Sequence, residues 1–152
     1  MRRIEEVIMI ILFLMLMTMA SFHDIRTLHI PVWVVIMQGM TVAAQTVIRI
    51  VAEKGISDEL KGTLVLAACL LVVSATVTML KRNAVGSGDW IVLILTALML
   101  TVAEFCIEVM TALTAVAVFS AFFMIFKKVG GDHRIPFIPF LTIGMVFGIC
   151  IG

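Results

Sequence analysis

Long apolar runs alternate with short segments that carry nearly all the charge, glycine and proline of this chain. The runs cover approximately residues 7–23, 30–51, 62–80, 89–104, 107–126 and 136–152. Most reach the ~17 to 25 apolar residues that a helix needs to cross a bilayer. In lipid each span must satisfy its backbone polar groups within itself, which favours helices. The pattern therefore predicts an all-α fold, a polytopic transmembrane bundle of about six spans forming one domain over residues 1–152. Glu104 and Glu108 interrupt the apolar pattern between the fourth and fifth runs. They predict a tight helical hairpin there, with both carboxylates marking its outer turn. No internal repeat, low-complexity tract or stretch long enough for a soluble domain interrupts the series.

Composition supports the same class. Of 152 residues, 62% are hydrophobic and 14% charged, too little polar surface for a soluble domain of this length. The lipid bilayer is thus the first expected partner. The formal net charge is +1, and the scattered Lys and Arg form no basic stripe, so no nucleic-acid partner is expected. Cys69, Cys106 and Cys150 lie in or beside apolar runs, form no CxxC and are odd in number. They are expected to be small buried hydrophobes. Arg2 and Arg3 followed by an apolar run resemble a secretory signal. Glu5 and Glu6 break the basic region and the run is long, so the first span is expected to stay.

Loop charges give an orientation. One side carries Arg26, Lys81, Arg82, Lys127, Lys128 and Arg134, and the other Arg2, Arg3, Arg49, Lys54 and Lys61. The positive-inside tendency places the first side in the cytoplasm and both termini outside. Parity adds a result independent of orientation. Asp24 closes the first span, Asp89 opens the fourth, and Gly-Asp-His-Arg-Ile-Pro precedes the sixth, so all three segments share one membrane face.

Carboxylates beside hydrocarbon are costly to keep ionised and are usually paired or functional. Asp89 follows Gly86-Ser87-Gly88 and could simply cap a helix. Asp24 could be a headgroup-level charge balanced by Arg26, with Pro31 opening the next span at a favoured position. Two such aspartates on one face, with a third Gly- and Pro-bearing segment beside them, favour a site instead. Two neighbouring carboxyls can hold one proton between them and activate water, as aspartic proteases do. A rival use of the same face is metal binding by His23, His29, His133, Asp24, Asp89 and Asp132, in a small transporter or a metal-dependent hydrolase. It has no HExxH motif and no close His pair at helical spacing in its support.

Asp24-Ile-Arg-Thr-Leu-His-Ile-Pro31, Gly86-Ser-Gly-Asp89 and Ile135-Pro-Phe-Ile-Pro-Phe-Leu-Thr-Ile-Gly144 together resemble the type IV prepilin peptidases, the GxGD membrane aspartic proteases. The likeness extends over nearly the whole chain, in the short form containing only the protease core. It implies that Asp24 and Asp89 are the catalytic pair and that Gly86 and Gly88 let the backbone bring the second carboxylate close. Arg26 and Pro31 would support the first motif, and Pro136, Phe137, Pro139 and Phe140 would lie beside the site. The implied partner is a prepilin-like precursor, with a basic leader and an apolar helix, cleaved at the cytoplasmic edge of the cell membrane. Neither a metal nor another cofactor is implied. Many members carry a lysine two residues after the second aspartate, where this chain has Ile91. The cysteine-bearing extension of the long, methylating members is not matched, so methyl transfer is not expected.

The remaining features read as structural. The twelve methionines are flexible packing residues. Lys81-Arg82 and Lys127-Lys128 anchor topology. Gly39, Gly144 and Gly148 permit close helix approach, and Arg49 snorkels to the outer interface.

Overall fold

The computed structural model describes residues 4–27, 30–52, 55–80, 87–127 and 136–151, and every regular element within them is helical. In chain order these are α1 (Ile4–Thr27), α2 (Val32–Ala52), α3 (Asp58–Leu80), α4 (Ser87–Met99), α5 (Val102–Lys127) and α6 (Ile138–Ile151). Their boundaries follow local chemistry. Glu5 and Glu6 in the first turn of α1 and Arg26 in its last oppose the helix dipole. The Pro31 carbonyl accepts the Val34 N–H at 3.0 Å and starts α2. Ser57 caps α3, its hydroxyl accepting the Leu60 N–H at 3.2 Å.

Four helices are long and apolar enough to cross a membrane: α1, α2, α3 and the Val102–Phe123 part of α5. The other two, α4 with 13 residues and α6 with 14, are shorter. At ~1.5 Å per residue α4 is roughly 20 Å long, against a hydrocarbon thickness of about 30 Å. The fold is therefore an all-helical bundle compatible with a multi-pass membrane protein.

Packing contacts run α1–α2–α4–α5–α6 and back to α1, a closed circuit, with α3 laid outside it against α4 and α5. Phe13, Met17, Val34, Val92, Met99, Leu141 and Met145 fill the interior and are fully buried. The α5–α6 contact is the closest. A Cβ on Gly144 would run into the Glu108 carbonyl oxygen, and one on Gly148 would stand 2.6 Å from that of Glu104. The two glycines let these backbones touch, as expected for small residues in membrane helices. Gly39 has nothing within 4 Å and plays no such part.

The hairpin between the fourth and fifth spans differs from its expected position. Its turn is Leu100–Thr101, and Glu104 and Glu108 both belong to α5. A reciprocal cap sets the start of α5. The Thr101 N–H donates to Glu104 Oε2 at 3.0 Å, and the Glu104 N–H donates to Thr101 Oγ1 at 3.3 Å. The turn is buried, because α4 is short and ends inside the bundle. There the Met99 carbonyl receives Gln45 Nε2 at 3.3 Å and Arg49 Nη2 at 3.2 Å, both from α2. Arg49 is thus a half-buried cap on the negative end of α4 rather than a snorkelling side chain. The cysteines also differ from expectation. Cys69, Cys106 and Cys150 are exposed on the bundle surface, where an apolar side chain meets lipid at no cost.

Candidate functional site

One end of the bundle gathers the last turn of α1 and the first turns of α2, α4 and α6. Two contacts fix this arrangement. Gly88, at the start of α4, packs against Ile30, whose Cδ1 would lie 2.7 Å from an added Cβ. The start of α4 at Gly88 thus sits on Ile30, which precedes the proline that opens α2. Lower down, Ser21 of α1 meets Thr142 of α6, Oγ to Oγ1 at 2.7 Å and buried. The Thr142 hydroxyl also donates to the Ile138 carbonyl at 3.0 Å, so Ser21 is the donor between the pair.

Asp24, in the last turn of α1, is buried at 6% exposure and turned inward. Asp89, in the first turn of α4, is half-buried, and the two carboxylates lie within range of each other's charge. Two acid groups from helices far apart in sequence therefore share one end of the fold. A pair so placed can hold a proton between its members and polarise a water.

The accompanying residues fall around this pair to different degrees. Arg26 is exposed in the last turn of α1, and Pro31 is half-buried at the mouth of α2. Pro136 and Phe137 lead into α6, where the Phe137 carbonyl accepts the Phe140 and Leu141 N–H groups at 3.1 and 3.2 Å. Pro139 occupies the first turn of α6, where its missing N–H costs nothing. Phe140 reaches across to α5 and tilts on Phe119, ring centres 5.5 Å apart. Gly86 lies outside the described residues, as do His29, Asp132 and His133 of the metal-binding alternative. His23 is engaged along its own helix, Nδ1 to Thr27 Oγ1 at 2.8 Å. Among the described residues no group of three His, Cys, Asp or Glu side chains is placed to hold a metal ion.

A groove of about 900 Å³ lies between α3 and α4, with Trp90, the residue after Asp89, in its lining. Leu71, Ala75 and Met79 of α3 form one wall, and Trp90, Ile91 and Ile94 of α4 the other. Leu71, Met79 and Ile91 are exposed, so the groove opens sideways onto the lipid-facing surface. The Trp90 indole nitrogen is buried, with no hydrogen-bond partner among the described residues.

The polar stripe of α2 is a feature that apolar run lengths did not announce. Gln38, Thr41, Gln45 and Arg49 recur at helical spacing, and all turn inward. Its signal is in the sequence, as polar residues at intervals of three and four within an apolar run. No family model, curated protein or solved structure matches this chain.

Proposed function

We propose that this protein is a membrane-embedded aspartic endopeptidase of the prepilin-peptidase kind, with Asp24 and Asp89 as its catalytic pair. The observation that carries this reading is the placement of two carboxylates, 65 positions apart by number, within each other's electrostatic reach at one end of a lipid-compatible bundle. One carboxylate takes a proton from a water molecule, which attacks the scissile carbonyl. The partner carboxylic acid donates its proton to the developing oxyanion; on collapse the first carboxyl passes the proton it took from water to the leaving amine, and the diol hydroxyl returns a proton to the partner. Gly88 supports this by letting α4 begin against Ile30 without a side chain between them.

The substrate class follows from the access route. A peptide whose apolar helix is already in lipid can enter along the α3–α4 groove and bring the extended segment above that helix to Asp89. Such a substrate is a prepilin-like precursor with a basic leader, cleaved where the leader meets the helix. Six basic residues on this face against five on the other support a cytoplasmic side for it, in a multi-pass arrangement that we assign to the cell membrane.

Co-expression with a prepilin-like precursor tests the proposal. The intact protein is expected to produce a mass loss equal to the leader. Asp24→Asn and Asp89→Asn, each accumulating to normal levels in the membrane, are expected to lose processing by at least a thousandfold, as removal of an essential catalytic group does. Processing retained by either variant contradicts the assignment.

A further inference from the structure

Glu108, in the second turn of α5, is fully buried, and so is Thr96 of α4. Glu104, one turn earlier, caps α5, and Glu108 has no such task. The Glu108 and Thr96 side chains hydrogen-bond to each other, and the proton in that bond can be assigned. Thr96 already gives its hydroxyl proton to the Leu93 carbonyl at 3.0 Å, so towards Glu108 it has only lone pairs. Neither Glu108 carboxyl oxygen receives a hydrogen bond from the described residues. An ionised carboxylate can only accept, and two acceptors facing each other make no bond. Glu108 must therefore be the donor, as a carboxylic acid.

The helices packed against α5 offer it no counter-charge. Neither α4 nor α6 carries a lysine or arginine, and α3 brings only Lys61, exposed and paired with Asp58 at 2.7 Å. Arg49 of α2 is directed at the Met99 carbonyl. An unpaired charge at this depth is costly, and the neutral acid avoids that cost.

Glu108 is also held from its other side. Its backbone carbonyl lies against Gly144 of α6, where a Cβ has no room. One residue thus joins three helices, its backbone packed on α6 and its side chain tying α5 to α4. On α4, Asp89 and Thr96 stand seven residues apart, two turns along one face. The other bonds that hold α4 come from Gln45 and Arg49 to the Met99 carbonyl at its C-terminal end. Carbonyls at a helix end point along the axis, so these bonds fix the position of α4 more than its rotation. Fixing Thr96 fixes the rotation, and with it the direction in which Asp89 points.

We propose that Glu108 is a positioning residue for the aspartate pair: as a carboxylic acid it donates to Thr96 and locks α4 with Asp89 turned towards Asp24. Its consequence for catalysis rests on the aspartic-peptidase reading, whereas the bond itself does not.

The test uses the purified full chain. In infrared difference spectra, wild type minus Glu108→Gln is expected to show the C=O stretch of a carboxylic acid. Thr96→Val is expected to move that band to higher frequency, because the acid loses its acceptor. Next, with Cys69, Cys106 and Cys150 replaced by alanine, Asp24→Cys and Asp89→Cys are bridged with a short bifunctional thiosulfonate. Glu108→Leu and Thr96→Val, which remove the donor and the acceptor, are expected to slow bridging severalfold. Glu108→Gln, whose amide N–H can still donate to Thr96, is expected to keep the unaltered rate. Should Glu108→Leu fail to fold, Thr96→Val, close to threonine in shape, carries the same comparison. With the aspartates in place, Glu108→Leu is expected to lower kcat for precursor processing about tenfold or more at little-changed KM, and Glu108→Gln to restore it. A wild-type chain that processes no precursor counts against the peptidase reading, and the infrared and bridging results still decide this inference. A missing acid band, a band indifferent to Thr96→Val, or bridging as fast in Glu108→Leu and Thr96→Val as in the unaltered background overturns it.

Discussion

Ser21 and Thr142 show how single side chains hold the candidate site in place. Their buried hydroxyl contact joins α1, which carries Asp24, to α6, whose first turn carries Phe140. In membrane bundles such bonds are modest, because an unfolded chain in lipid finds other partners. A double-mutant cycle with Ser21→Ala and Thr142→Ala is expected to give a coupling of about 0.6 kcal/mol, and at most roughly 1.7 kcal/mol, in detergent unfolding. Additive losses would mean that the contact carries no coupling. At this scale the sequence was partly legible. Asp24 and Asp89 stood out because charge beside hydrocarbon is rare, and their place on one face followed from counting crossings. The contact made by Arg49 and the burial of Glu108 did not follow, because linear spacing shows neither depth nor what a side chain faces. The exposed cysteines were misread for a related reason: beside lipid an apolar environment lies outside the bundle as well as within it.

Among the elements, the six helices were legible from run length, since an apolar run of sufficient length in lipid has little alternative to a helix. The turn between α4 and α5 was displaced because the chain stays apolar through Leu98, Met99 and Leu100 and gives no hydropathy break. The signal was the spacing of Thr101 and Glu104, which is that of a capping box. Helix packing gives a sharper prediction. An alanine at Gly144 drives its Cβ into the Glu108 backbone, with the carbonyl carbon at 3.1 Å, and backbone cannot move aside as a flexible side chain does. Gly144→Ala is expected to destabilise the protein by about 1–3 kcal/mol in unfolding measurements. Gly39→Ala, which meets nothing within 4 Å, is expected to be neutral or slightly stabilising. Equal effects of the two changes would contradict the close α5–α6 contact.

For the whole molecule, the parity of the crossings puts the C-terminal end of α1 and the N-terminal ends of α2, α4 and α6 on one face. The buried α4–α5 turn and the start of α3 then belong to the other half of the bundle. With Cys69, Cys106 and Cys150 replaced by alanine, cysteines introduced by Thr27→Cys and Ser57→Cys are expected to react with an impermeant thiol reagent from opposite sides. With the proposed orientation, the first is expected to react only once the cytoplasmic face is opened. Labelling of both from one side would undo the topology, and with it the lateral route along the α3–α4 groove.

The central claim is that two acid side chains from separate helices meet, and proximity can be measured without knowing the substrate. In the same cysteine-free background, Asp24→Cys with Asp89→Cys is treated with a short bifunctional thiosulfonate, and intramolecular bridging is read by mass spectrometry. The account predicts bridging in most molecules, and little in the control pair of Asp58→Cys with Asp89→Cys, whose positions lie at opposite ends of the bundle. Absence of a bridge between positions 24 and 89, or equal bridging in the control, contradicts it.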